Sequence, residues 1–233
     1  MRVWDINPGY LNRQSLLGEH RELHGIVSII ANKKKGYSNH PETVRWIGHG
    51  WALRQRHQLL ASEMSLRGFT DKSPVTMRTN KGVWPKTYID EPFRQFQILE
   101  SKYRNKEQGR ISLPKNAQQL WSQHKYSVLA RDVNTYRKLG KDVSAMKACQ
   151  DFSKLAKVTA ELLRKAPSVG GIRNALQHMW GHVSDFPTNS KDEIESWSLS
   201  RLLGEIQRRS LASEDRYLNS STALSELKVW IPN

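Results

Sequence analysis

Cysteine is almost missing: the chain has one, Cys149, in 233 residues. A disulfide framework needs pairs and a cysteine zinc site needs several, so both are excluded. Cys149 itself reads as a buried helix residue. Long apolar runs are missing too. None approaches the 18 residues that a membrane-spanning helix requires. The opening Met1-Arg2-Val3-Trp4-Asp5 lacks the apolar core of a secretory signal, so the expectation is an intracellular protein unprocessed at that end. No repeat or sustained heptad occurs, and no GxSxG, P-loop, dinucleotide fingerprint or HExxH motif is present.

Acid is in short supply as well. Lys and Arg number 37 against 22 Asp and Glu, a formal net charge of +15. The excess is uneven: residues 1–116 hold 20 basic and 10 acidic side chains, residues 117–233 hold 17 and 12. Such a surplus points to a polyanionic partner, because neutralising phosphates releases condensed counterions. No basic amphipathic anchor or lipidation motif accompanies it, which favours nucleic acid over a membrane surface.

What is abundant is helical periodicity, with little strand-like alternation, so an all-α protein in two parts is expected. Asn7-Pro8-Gly9-Tyr10 reads as a turn. A helix follows from about Gln14 to Ala31, with Leu16, His20, Leu23, Val27 and Ile30 as its buried stripe and Asn32 to Gly36 as its end. A second runs from Pro41 to Arg67, with a kink or close backbone approach expected where Gly48 and Gly50 flank His49. Residues 70–91 are loop-like, and a helix near Pro92–Asn105 carries Phe93, Phe96, Leu99 and Tyr103 on one side. Gly109 to Pro114 reads as a linker. Beyond it, helices are expected over Asn116–Leu139, Asp142–Lys165, Gly171–Val183 and Lys191–Arg209, the last opened by the capping box Ser190-Lys191-Asp192-Glu193.

The first helix has an informative back face, where Gln14, Gly18, Arg21, Glu22 and Gly25 lie away from the apolar stripe. Small residues there allow close approach by a ligand or by the chain's own terminus. An arginine beside a glutamate can bind phosphate and handle protons, although the same spacing also fits an ordinary exposed charged pair. His20 and His24 have the i, i+4 spacing that can chelate zinc, but His20 falls on the apolar stripe and reads as a core histidine. Trp46, Trp51, Tyr88 and Phe93 near arginines suit either base stacking or the core.

The N-terminal half resembles the phage and bacterial pyrimidine-dimer DNA glycosylase/lyase family, the endonuclease V of dimer excision. The resemblance rests on Met1-Arg2, Leu11-Asn12-Arg13-Gln14, Gly18-Glu19-His20-Arg21-Glu22-Leu23, Arg54-Gln55-Arg56 and Leu66-Arg67-Gly68-Phe69. The string Lys35-Gly36-Tyr37-Ser38-Asn39-His40-Pro41-Glu42 is typical of the family's cellular members. The resemblance covers about residues 1–112, which implies a catalytic domain there and a second helical domain over 113–233.

In that family the nucleophile is the α-amine of the mature first residue, assisted by a helix glutamate. An ungapped match of the Arg-Glu-Leu segment puts Met1 at the nucleophile's position and Glu22 at the carboxylate's. Removal of an initiator methionine needs a small second residue and Arg2 is large, so Met1 is expected to be retained. Arg2, Gln14 and Arg21 match DNA-contacting positions, and Arg54 and Arg56 lie in the basic helix. Gly25 stands where the family has an arginine, removing one cation of the phosphate clamp. The implied activity is a glycosylase with abasic-site lyase action on UV-induced pyrimidine dimers in double-stranded DNA, without metal or other cofactor. The family extrudes the base opposite the dimer. The implied location is the cytoplasm, at the nucleoid. The alternatives are a glycosylase or lyase for other lesions and a non-catalytic DNA-binding module.

The C-terminal half resembles a helical bacterial domain of unknown function. The signals are His124-Lys125-Tyr126, Tyr136 to Gly140, Asn174 to Gly181 and Asp215-Arg216-Tyr217-Leu218. His124, His178 and Trp180 suit either a site or helix packing, and the lower charge suits a protein-contact surface.

Overall fold

The computed structural model describes residues 1–183, 191–213 and 216–232. Helices account for all the regular structure among them, and no strand occurs among the described residues. The fold is all-α, as expected. The chain divides into two compact units, Met1–Gly109 and Arg110–Asn233.

Unit 1 opens with an irregular, largely buried segment leading to a 3-10 turn over Pro8–Tyr10, where the Asn7 side chain accepts the Gly9 N–H at 2.8 Å. Helix α1 (Arg13–Ala31) is capped by Asn12, whose side chain accepts the Ser15 N–H. Its end is set by Lys33 in the left-handed region (φ 49°), with the Lys34 N–H returning to the Ile29 carbonyl. Gly36 is therefore not the terminating residue. The buried stripe is Ser15, Leu16, Glu19, Leu23 and Ile26. Val27 and Ile30, expected in the core, are only half-buried, because the helix is turned to bring Glu19 inward.

The second expected helix is two: α2 (Pro41–Trp46) and α3 (Gly50–Leu66). Gly48 adopts φ 82° between them. A Cβ on Gly50 would lie 2.5 Å from Thr79 Oγ1, and both Gly50 and Trp51 donate their N–H groups to Thr79. The two glycines thus serve a reversal and a close approach. Helix α4 (Pro92–Lys102) packs Phe96 edge-on against Tyr10. Helices α1 and α3 pack together around Leu16, Leu23, Leu53 and Leu60.

Unit 2 is built around α5 (Ala117–Leu129), with α6 (Val133–Ser144), α7 (Ser153–Leu163) and α8 (Val169–Trp180) against it. Then follow α9 (Lys191–Ser196), α10 (Leu199–Ala212), α11 (Arg216–Asn219) and α12 (Ala223–Glu226), with a 3-10 turn over Leu227–Trp230. Three long expected helices are interrupted: Asp132 caps α6, Ser198 caps α10, and the expected Asp142–Lys165 is broken between Ser144 and Ser153. Ser190 of the expected capping box lies outside the described residues. Buried Arg131 donates to both oxygens of buried Glu226 (2.9 and 3.0 Å) and to the carbonyls of Ser127, Leu163 and Lys165. Cys149 is exposed, in the turn after α6 rather than inside a helix. No helix among the described residues is long and apolar enough to cross a membrane.

Candidate active site

Residues 1–6 form no helix or strand and Val3, Trp4 and Ile6 are buried, and no strand among the described residues pairs with them. Buried backbone groups need partners. Here side chains supply them. The Arg2 N–H donates to Glu22 Oε2 at 2.5 Å, the Trp4 N–H to Glu19 Oε1 at 3.2 Å and the Asp5 N–H to Gln95 Oε1 at 2.8 Å. In the other direction, Arg45 donates to the Val3 carbonyl at 2.9 Å and Arg56 to the Ile6 carbonyl at 2.7 Å.

The donors are themselves held by buried carboxylates. Arg56 meets both oxygens of Glu19, at 2.7 and 2.8 Å. Arg45 forks onto Asp5 (3.0 and 2.8 Å) and also reaches Glu42, which in turn accepts the Trp46 indole N–H. Burial pushes the Glu19 carboxyl above its ordinary range, with the Arg56 guanidinium opposing. For Arg45, burial works against the charge, but Asp5 and Glu42 outweigh it and hold the guanidinium above its usual range. Arg67 adds a third anchor, bonded to Glu63 and to the carbonyls of Leu11 and Gly9.

This scaffold brings Met1 and Glu22 together. Glu22 is half-buried on α1 and its carboxylate grips the backbone N–H one residue from the Met1 amine. The Met1 side chain lies over Gly25, where an added Cβ would be 4.0 Å from its sulfur. Gly25 therefore leaves room for the methionine on the same helix face. Arg2 is half-buried, stacked over Trp4 at 4.1 Å and paired with Asp90 at 2.8 Å. Gln14 and Arg21 are exposed on α1. A carboxylate bonded one residue from the chain's α-amine, with an exposed arginine and glutamine on the same helix, can combine nucleophilic attack with phosphate binding.

Two expected DNA contacts fare differently from these. Arg54 is half-buried. Arg56, expected at the DNA surface, is 3 % exposed, with its guanidinium committed to Glu19 and Ile6. It is a structural cation. Trp46 and Trp51 are buried, both edge-on to Trp84, so they belong to the core rather than to a base-stacking surface. In unit 2, His124 is buried, which holds its imidazole down to about 3 with Arg131 adding to the effect. His178 is exposed, whereas Trp180 packs on Trp197 and beneath Arg209.

Residues that the sequence did not single out complete the arrangement: Asp5, Glu19, Glu42, Arg45 and Gln95. Most of their partners lie 15 to 90 positions away, beyond any local pattern, whereas Glu42 meets Arg45 and Trp46 three and four positions on.

Residues 1–77 match the model of the family described as pyrimidine dimer DNA glycosylase. Residues 125–224 match the model of a family described as a protein of unknown function (DUF1722). No curated protein and no solved structure matches the chain.

Proposed function

We propose that unit 1 is a DNA repair glycosylase with abasic-site lyase activity, acting on pyrimidine dimers through the α-amine of Met1. The observation that carries this reading is the grip of Glu22 on the Arg2 backbone N–H, beside the Met1 amine, inside a segment that matches a pyrimidine dimer glycosylase family.

An α-amine titrates near 7.7–8.0, well below lysine, so a useful fraction is neutral at cellular pH. The neutral amine attacks the sugar C1′, the C1′–N glycosidic bond breaks, and the base leaves with the bonding pair. Loss of the amine proton and opening of the sugar ring give a protonated imine. Removal of a C2′ proton then expels the 3′ phosphate by β-elimination, nicking the strand. Glu22 stabilises the positive charge as it develops on the sugar and takes up the protons released along the way. Arg21, Gln14, Arg2 and Arg54 hold the phosphates and fix the register of the duplex. A dimer that has lost stacking lowers the cost of extruding a nucleotide by a few kcal/mol at most.

The test is borohydride trapping of untagged protein on three duplexes, carrying a cyclobutane pyrimidine dimer, an abasic site or no damage, followed by peptide mass mapping. A covalent adduct on Met1 with the dimer duplex is expected. An adduct with the abasic duplex alone would move the substrate to other lesions, a reading favoured by Gly25 in place of a clamp arginine. No adduct on any duplex, with salt-sensitive binding intact, would leave a DNA-binding module.

A further inference from the structure

Opposite the Glu22 face, α1 carries a second cluster. His20 and His24 sit one turn apart on the helix, His57 faces them from α3, and Asp71 follows α3 in the chain. The three imidazole rings lie 4.7 to 5.1 Å apart, centroid to centroid. Each residue offers one ligand atom, and the four atoms lie within 4.8 Å of one another. His20 Nε2 is 3.2 Å from one Asp71 oxygen and His57 Nε2 is 3.5 Å from the other.

We propose that His20, His24, His57 and Asp71 form a binding site for one divalent transition-metal ion of the zinc type, clipping the chain after α3 to the α1–α3 pair.

Three observations carry the proposal. First, the donor set is complete: three imidazoles and a carboxylate satisfy the four-coordinate N/O preference of zinc. Without thiolates the set does not suit Cu(I), and three nitrogen donors do not suit Mg2+ or Ca2+. Second, the nitrogens are available. His24 Nε2 and His57 Nε2 are buried without a hydrogen-bond partner, and His57 is 2 % exposed. A buried ring nitrogen with no partner is costly unless something else satisfies it. Third, the carboxylate is ready. The Ser73 N–H donates to Asp71 Oδ1 at 3.0 Å, and His20 and His57 face its two oxygens, so the carboxylate is held at the imidazoles. Donor atoms around a tetrahedral zinc lie about 3.3 Å apart, so binding asks the widest pair to close by up to about 1.5 Å, within reach of side-chain rotation.

The site is independent of the reading of Met1 and Glu22. It lies on another face of α1 and has four protein ligands, which is the closed coordination of structural zinc rather than the open one of catalytic zinc.

The test uses the full chain, stripped with a chelator and titrated with Co2+ and then Zn2+. One Co2+ per chain is expected, with the intense visible bands of tetrahedral cobalt, displaced by one equivalent of Zn2+. His24→Gln and Asp71→Asn should each weaken binding by more than the roughly 10–100-fold typical of outer-shell changes. Both should keep the parent's circular dichroism, whereas exposed His178→Gln should change nothing. Zn2+ should slow hydrogen exchange in peptides around Asp71 in the parent and in neither ligand variant. Weak octahedral bands, the absence of stoichiometric binding, or equal affinity in the parent and both ligand variants would each overturn the site.

Discussion

Replacing Arg56 with methionine separates a structural cation from a DNA contact. Arg56 neutralises Glu19, whose side chain has no exposure, and satisfies the Ile6 carbonyl. Breaking a buried pair by removing one partner costs about 3–5 kcal/mol. Leaving the Ile6 carbonyl unsatisfied adds about 1–3 kcal/mol. A loss of ~4 kcal/mol or more would consume much of the 5–15 kcal/mol typical of a domain. Arg56→Lys should lose less, since an ammonium keeps the charge but cannot fork onto both Glu19 oxygens. The penalty should also depend on pH. Burial already raises Glu19, and without Arg56 it rises further. A carboxyl raised by folding binds its proton more tightly in the folded state. The charge part of the penalty is therefore complete above the variant's raised value and is gone once pH falls below the parent's own raised value, while the Ile6 part persists. The gap between variant and parent should narrow as pH falls from 7 toward 4. The assay is urea unfolding, read by hydrogen exchange of peptides from residues 1–109, because two units need not unfold as one. A variant within ~1 kcal/mol of the parent that has lost DNA binding would refute the reasoning and return Arg56 to the DNA surface.

Glu22→Gln keeps an acceptor for the Arg2 N–H, so DNA affinity should stay near the parent's while nicking falls by about 100- to 10,000-fold, measured on a dimer-containing duplex. Gly25→Ala places a Cβ in ordinary contact with the Met1 sulfur and should stabilise the helix by about 0.5–1 kcal/mol without loss of trapping. Gly25→Leu should displace Met1 and lower borohydride trapping while DNA affinity holds. In unit 2, a Cβ on Gly171 would lie 2.0 Å from the Ala130 carbonyl oxygen, so Gly171→Ala should cost about 1–3 kcal/mol in thermal unfolding.

Helix type and approximate extent were legible in the sequence, because the 3.6-residue period is a local signal. Where chain reversals rest on single caps, the pattern was misleading. Asp132 and Ser198 read as polar positions within a long helix until the chain is seen to turn there. The face of α1 was misread by part of a turn, because a rule that places apolar residues inside has no place for Glu19 in the core. Arg56 was misassigned for the same reason. From sequence, a basic residue reads as surface, and its acidic partner 37 positions away gives no local sign of the pairing. The i, i+4 spacing of His20 and His24 was visible, but His57 and Asp71 reach the cluster only through the packing of α1 on α3 and the return of the chain after it. Met1 and Glu22 were paired by resemblance to a family, and spacing alone did not distinguish Glu22 from an exposed charged residue.

The buried charges of unit 1 share one geometrical cause. A buried segment outside any helix or strand must still satisfy its N–H and C=O groups, and apolar side chains cannot do that. Carboxylates and a glutamine take the N–H groups of Arg2, Trp4 and Asp5, and guanidinium groups serve the carbonyls of Val3 and Ile6. Carboxylate and guanidinium then neutralise each other, in Glu19–Arg56 and Asp5–Arg45. Well-packed apolar residues could match or exceed the stability of such pairs. They could not fix the register of residues 1–6, since sliding by one residue would turn each backbone N–H and C=O away from the side chain that satisfies it. On the proposed mechanism, with the first amine as nucleophile, that register sets the position of the reacting atom relative to Glu22. A misplacement of 1 Å can cost about 100-fold in rate.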